Sequence, residues 1–171
     1  MFDKAINLKG KHGEYVRMLA KGIQNLESDK SIFRTNIGLY KTAVVVGVLF
    51  NKKAKEEKSN EFDTKIMPET VIKHQDDLKY LFRLVMLTCP DNIDNEKRID
   101  RAFRYVYDEK DVEEIKEDEK EALKLFEAYA LGGIEKLYQE VYKGDVTGEK
   151  YLENIFEFID EFYQDNQMID L

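Results

Sequence analysis

Two histidines, His12 and His74, are where metal or acid–base chemistry would be sought in this 171-residue chain. Neither belongs to a Glu-x-x-His pair, which a di-iron helical bundle needs twice. With Cys89 as the lone cysteine, the thiolates of an ordinary zinc site are missing. His74 and Asp77 stand three apart, so on a helix they share a face, and a surface hydrogen bond is the plain reading. Gln75 separates His74 from Asp76 and breaks the His-Asp doublet of metal phosphohydrolases.

Carboxylates offer a second chemistry. Residues three apart on a helix project from one face and can grip a hard cation together. Glu114-x-x-Glu117 and Glu157-x-x-Asp160 match in letters the pairs used by helical Mg-dependent nucleotide pyrophosphohydrolases. Their separation is far longer than in that family, and a chain with 35 acids produces such pairs by chance. This metal set is therefore kept only as an alternative, and no cofactor is expected. Cys89 precedes Pro90 at a helix C-terminus, an end that does not favour a thiolate, so it reads as a small buried residue. Gly132-Gly133 lacks the Lys-Ser/Thr and the preceding strand of a phosphate loop. No residue is assigned a catalytic role.

Basic and aromatic clusters point to binding instead. Lys52, Lys53, Lys55 and Lys58 follow one helix, and Arg98, Arg101 and Arg104 recur every third residue on another. Arginine forks suit phosphate, so the two clusters form a candidate nucleic-acid surface. Asp94, Glu96 and Asp100 interleave the arginines, which favours ion pairs within the chain. Tyrosines crowd the C-terminal half, and Tyr105, Tyr107, Tyr138 and Tyr142 are candidate interface residues, because tyrosine is enriched where proteins meet.

The elements that must carry these residues are helical. Gly at 9 and Pro at 2 are too few for a β-sandwich, while 36% charged residues suit amphipathic helices. Spacing predicts helices over about 10–27, 32–51 (with Ser31 as N-cap), 68–88, 95–107, one ending near 142, and 148–164. The second is apolar nearly all round and should be the central one. Its run Ala43–Val48 is β-branched and would pass for a strand, but no partner strand is visible. Asn51–Asp63 reads as a loop or a helix extension that frays into one, Pro68 as a first-turn proline, Asp94 as a cap. Gly132-Gly133 marks a kink, a break or a close helix crossing. The last helix shows the cleanest stripe: Leu152, Ile155, Phe156, Ile159, Phe162 and Tyr163. The expectation is an all-α fold, one domain over 1–171, with about six helices in a compact antiparallel bundle or orthogonal array.

Charge is unevenly spread. Residues 1–60 hold 12 Lys/Arg against 6 Asp/Glu, and residues 61–171 hold 15 against 29. Two oppositely charged surfaces would serve a partner or head-to-tail association. Nothing in the opening Met1–Ile6 reads as a secretory signal, and the most apolar stretch, Leu39–Phe50, is too short to span a bilayer. A cytoplasmic protein is expected, with no membrane partner.

The run Phe2–His12, the segment Arg98–Arg104 and Gly132-Gly133-Ile134-Glu135 resemble stretches of small helical accessory proteins encoded in bacterial defence islands. The resemblance covers these short segments alone. It implies an accessory subunit of a multi-protein anti-phage system and brings no catalytic residue with it. The sequence thus points to a helical interaction protein, a subunit or adaptor that binds a protein partner or itself. Nucleic-acid binding and Mg-dependent nucleotide hydrolysis are the alternatives.

Overall fold

A computed structural model describes residues 1–21, 33–57, 59, 61–91, 93–103, 112–143 and 148–167. Among them are seven α-helices and one two-stranded sheet. In chain order these are β1 (Ile6–Leu8), α1 (Gly10–Lys21), α2 (Asn36–Leu49), β2 (Thr64–Ile66), α3 (Pro68–Lys73), α4 (Gln75–Thr88), α5 (Asn95–Phe103), α6 (Val112–Leu137) and α7 (Gly148–Gln167). A π-helical turn, Tyr138–Tyr142, continues α6. The all-α class expected from the spacing holds, with a small sheet added.

The Ala43–Val48 run is helical. It lies inside α2, whose Ile37, Leu39, Tyr40, Ala43, Val44 and Val46 are buried. Thr35 caps α2, its Oγ1 accepting from the Gly38 N–H at 3.1 Å. The cap expected at Ser31 lies outside the described residues, and the helix begins four residues later than the spacing predicts.

α2 crosses α6 with backbone on backbone. A Cβ on Gly133 would collide with the Ala43 carbonyl oxygen, and one on Gly47 with the Tyr129 carbonyl oxygen. Gly132 is as crowded by the Lys52 carbonyl. Of the three readings of the glycine pair, the close crossing is the one observed, and α6 runs unbroken through it. Beyond the crossing the chain from Lys52 stays on α6: the Lys52 carbonyl abuts Gly132, and the Ala54 N–H donates to Ala128 O at 2.9 Å. No helix forms among the described residues of the expected 51–63 loop.

Two features depart from the sequence expectation. The helix expected over 68–88 is divided at His74, whose φ of −105° and ψ of 18° leave the helical basin. Pro68 takes the first helical position of α3, as expected. The sheet was not expected. β1 pairs antiparallel with β2, Ile6 opposite Ile66 and Leu8 opposite Thr64. Three residues a side give alternation too little room to show. Leu8, Thr64 and Ile66 are buried against α1, and Thr64 Oγ1 donates to Gly13 O at 2.9 Å.

A single contiguous core joins α1, α2, α4 and α6. At its centre Phe126 meets Phe2 edge-on at 5.5 Å, Phe82 at 5.8 Å and Tyr40 at 6.4 Å. Since backbone cannot move aside as a side chain does, Gly133→Ala is expected to lower stability by about 1–3 kcal/mol, despite alanine's better helix propensity. A drop in the urea midpoint at constant slope checks this.

Candidate interaction surface

The basic residues proposed from sequence for nucleic acid are turned largely onto the chain's own acceptors. Arg98 folds back over the end of α4 and donates to the carbonyls of Leu87, Cys89, Asp91 and Ile93. Arg101 is buried and grips Asp118 of α6 through Nε and Nη2, with Glu121 at 3.3 Å and Lys97 joining Asp118 at 3.1 Å. This pair ties α5 to α6. Lys53 bonds Asp91 at 2.6 Å and overlies the Tyr129 ring, and Lys52 bonds Gln139 at 2.6 Å. Lys55 is exposed. Lys58 and Arg104 lie outside the described residues.

The two carboxylate pairs of the metal alternative do not meet. Glu157 bonds Lys143 at 3.3 Å, beyond the far end of α6, whereas Glu117 stands near its start beside Lys120. At the rise of an α-helix the two are roughly 30 Å apart. Asp160 accepts from Gln164, and the Glu114 side chain is outside the described set. Among the described residues no three His, Cys, Asp or Glu side chains are grouped closely enough to hold a metal. Cys89 is buried, its thiol 3.9 Å from Met86 O. His74 meets Asp77 at 3.4 Å on the surface, and Lys41 bonds the same carboxylate at 2.8 Å.

Tyr138 and Tyr142 belong to an intramolecular stack. Tyr15 of α1 lies flat on Tyr138 at 3.7 Å, and Tyr138 on Tyr142 at 5.0 Å. Tyr138 and Tyr142 are the first and last residues of the π-helical turn. Partial burial and the neighbouring tyrosines push the Tyr138 hydroxyl above its ordinary pKa. Tyr105 and Tyr107 lie outside the described residues.

The exposed apolar surface of α7 was not anticipated from sequence. One face of α7 packs back on the end of α6: Tyr151 is buried, Asn154 Nδ2 donates to Val141 O at 3.0 Å, and Phe158 and Phe162 rest on Phe50 at 5.4 and 5.6 Å. Lys136 Nζ also lies over the Phe50 ring, at 4.7 Å. A second apolar row faces outward. Leu152, Phe156, Ile159 and Tyr163 are 42, 70, 56 and 61% exposed. At 100° per residue these four fall within an arc of roughly 60°. Exposed Glu153, Glu157 and Asp160 line its flank away from the packed face. Of the six-residue stripe read from the sequence, only Ile155 and Phe162 turn inward. The remaining signal was that apolar residues cover more of this helix than one packing face needs.

His12 is an unused titratable group in the core. It is fully buried, with Nε2 3.1 Å from Glu135 Oε1, a carboxylate also bonded by Lys11 at 2.9 Å. The carboxylate accepts, so Nε2 carries the hydrogen and Nδ1 is a buried lone pair with no partner. Protonating Nδ1 would set a charge in an apolar site. Burial therefore lowers the His12 pKa, against the pull of Glu135.

Set against known protein families, curated proteins and solved structures, the chain matches none of them. Among the described residues no helix is long and apolar enough to cross a membrane.

Two outcomes follow from these ion pairs. A histidine whose folded pKa is depressed binds fewer protons in the native state, so its contribution is present above about pH 6.5 and fades as pH falls. Wild type is expected to lose stability below that pH by up to about 1.4 kcal/mol per unit relative to His12→Gln, in urea titrations at matched pH. Arg101→Met should lower stability by about 1–3 kcal/mol, less than for a fully enclosed pair, because Asp118 is partly exposed and keeps Lys97.

Proposed function

We propose that this chain is a non-enzymatic interaction protein, a subunit or adaptor, that docks a partner on the outward apolar row of α7. The observation that carries this reading is the exposure of Leu152, Phe156, Ile159 and Tyr163 in register on one helix face. Large apolar side chains aligned and left in water mark interaction sites more often than isolated ones do. The aromatic members suit an interface centre, where Phe and Tyr are enriched.

The flank decides the kind of partner. Glu153, Glu157 and Asp160 beside the row would meet their own like across a symmetric α7–α7 contact, which disfavours self-pairing. An amphipathic helix with apolar residues at i, i+4 and i+7 and Lys or Arg alongside fits both the row and the charge. The resemblance to defence-island accessory proteins supports an anti-phage assembly as the setting and the cytoplasm as the compartment. Nucleic-acid binding lacks comparable support, because Lys52, Lys53, Arg98 and Arg101 all have partners within the chain.

The test pairs light scattering of the pure chain with affinity capture from its host, using wild type and a Leu152→Glu, Phe156→Glu double variant. Both positions are exposed, so the variant should keep its stability to within about 0.5 kcal/mol. Wild type is expected to be a monomer that retains one defined partner, lost in the variant and weakened by salt. A dimer dissolved by the double variant would give the row to a second copy instead. A chain whose captured proteins are the same with and without the substitutions would end the proposal.

A further inference from the structure

The N-terminal segment lies over α2 and α6 and leaves two adjoining cavities beneath it. The smaller, about 210 Å³, is walled by Ile6, Leu8, Tyr40 and Leu131, with Glu56 and Glu127 also lining it. The larger, about 350 Å³, continues past Phe2, Val71, Leu123 and Phe126, with Lys4, Lys116 and Lys120 also on its lining. Ala5, Ile6, Tyr40 and Glu127 line both, so the two share a wall. No residue of α7 takes part, which separates this site from the docking row.

Three of its polar groups have no hydrogen-bond or ion-pair partner among the described residues. Tyr40 is 2% exposed, and its hydroxyl makes no hydrogen bond among the described residues. Glu56 and Glu127 likewise have no ion pair or hydrogen bond there, although Glu57 next in sequence accepts from the Lys11 N–H at 2.6 Å. A phenol on so buried a residue normally finds a partner, and two carboxylates facing one space repel. Partial enclosure together with Glu56 pushes the Glu127 carboxyl above the usual range, against the pull of Lys124. Burial likewise pushes the Tyr40 phenol well above its ordinary value, so it stays neutral and its oxygen can accept. An N–H donor carrying positive charge would satisfy all three groups at once.

We propose that these cavities form a binding site for a small primary amine. Its ammonium sits between Glu127 and Glu56 and donates to the Tyr40 hydroxyl oxygen, and its aliphatic body enters the larger chamber beside Phe2 and Phe126. Three donors on an ammonium match the two carboxylates and one phenol. The larger chamber supplies burial for a chain of several carbons.

Isothermal titration of the full chain with n-hexylamine near neutral pH tests this. Saturable single-site binding is expected, with a Kd of about 1 mM or tighter. Glu127→Gln and Glu56→Gln should each weaken it about tenfold, as loss of a charge-assisted bond implies. Tyr40→Phe keeps the ring and should weaken it about three- to tenfold. Hexan-1-ol and hexanoate, of similar size, should not saturate. Glu127 and Glu56 are exposed at the rim, so their variants fold as wild type by circular dichroism and decide the matter even if Tyr40→Phe does not fold. Failure of hexylamine to saturate overturns the site. So does equal affinity for the alcohol, or an unchanged affinity in the Glu56→Gln, Glu127→Gln double variant.

Discussion

The contact on which the rest of this protein depends is the crossing of α2 over α6, where Gly47 and Gly133 let two backbones touch. At that distance no side chain intervenes, so each helix axis is fixed by the other's carbonyls. The residues around it are forced into place. Tyr129 reaches over to Asn51, its hydroxyl donating to Oδ1 at 3.1 Å, and Asn51 holds a left-handed conformation that turns the chain out of α2. The segment after it is then led along α6 by Lys52 and Ala54. α1 and α4 close the remaining sides of α2, and the core is complete around a helix apolar on nearly all faces.

Helix content was legible because the apolar spacing at 3.6 residues is long and repeated. Pro68 and Asp94 marked two starts correctly, Asp94 Oδ1 accepting from the Lys97 N–H at 3.0 Å. The β-branched Val44–Val48 stretch could be placed only by asking where a strand would find hydrogen bonds. What spacing could not supply was tertiary. Leu8 and Thr64 come together from opposite ends of a long excursion, so β1 and β2 leave no local trace. The break at His74 comes from one residue's dihedral angles, in a sequence whose apolar period continues through it.

The candidate sites show the same division. Arginine spaced by three on α5 suggested a basic face, but acids 17 and 20 residues further along the chain claimed Arg101, and loop carbonyls claimed Arg98. The α7 stripe was visible in the letters, yet which part of it would meet the core depended on Phe50, a residue from another element. The amine site could not be read from sequence at all. Tyr40, Glu56 and Glu127 come from α2, the following loop and α6, and only the crossing sets them around one space.

Arg98 has a mechanical meaning beyond its hydrogen bonds. Four carbonyls spread over Leu87 to Ile93 converge on one planar cation, so a single side chain braces the corner between α4 and α5. The guanidinium acts there as a gusset plate, bracing two beams at a fixed angle. A lysine at that position would keep the charge and lose the bracing, because one ammonium cannot span acceptors that a fork reaches together.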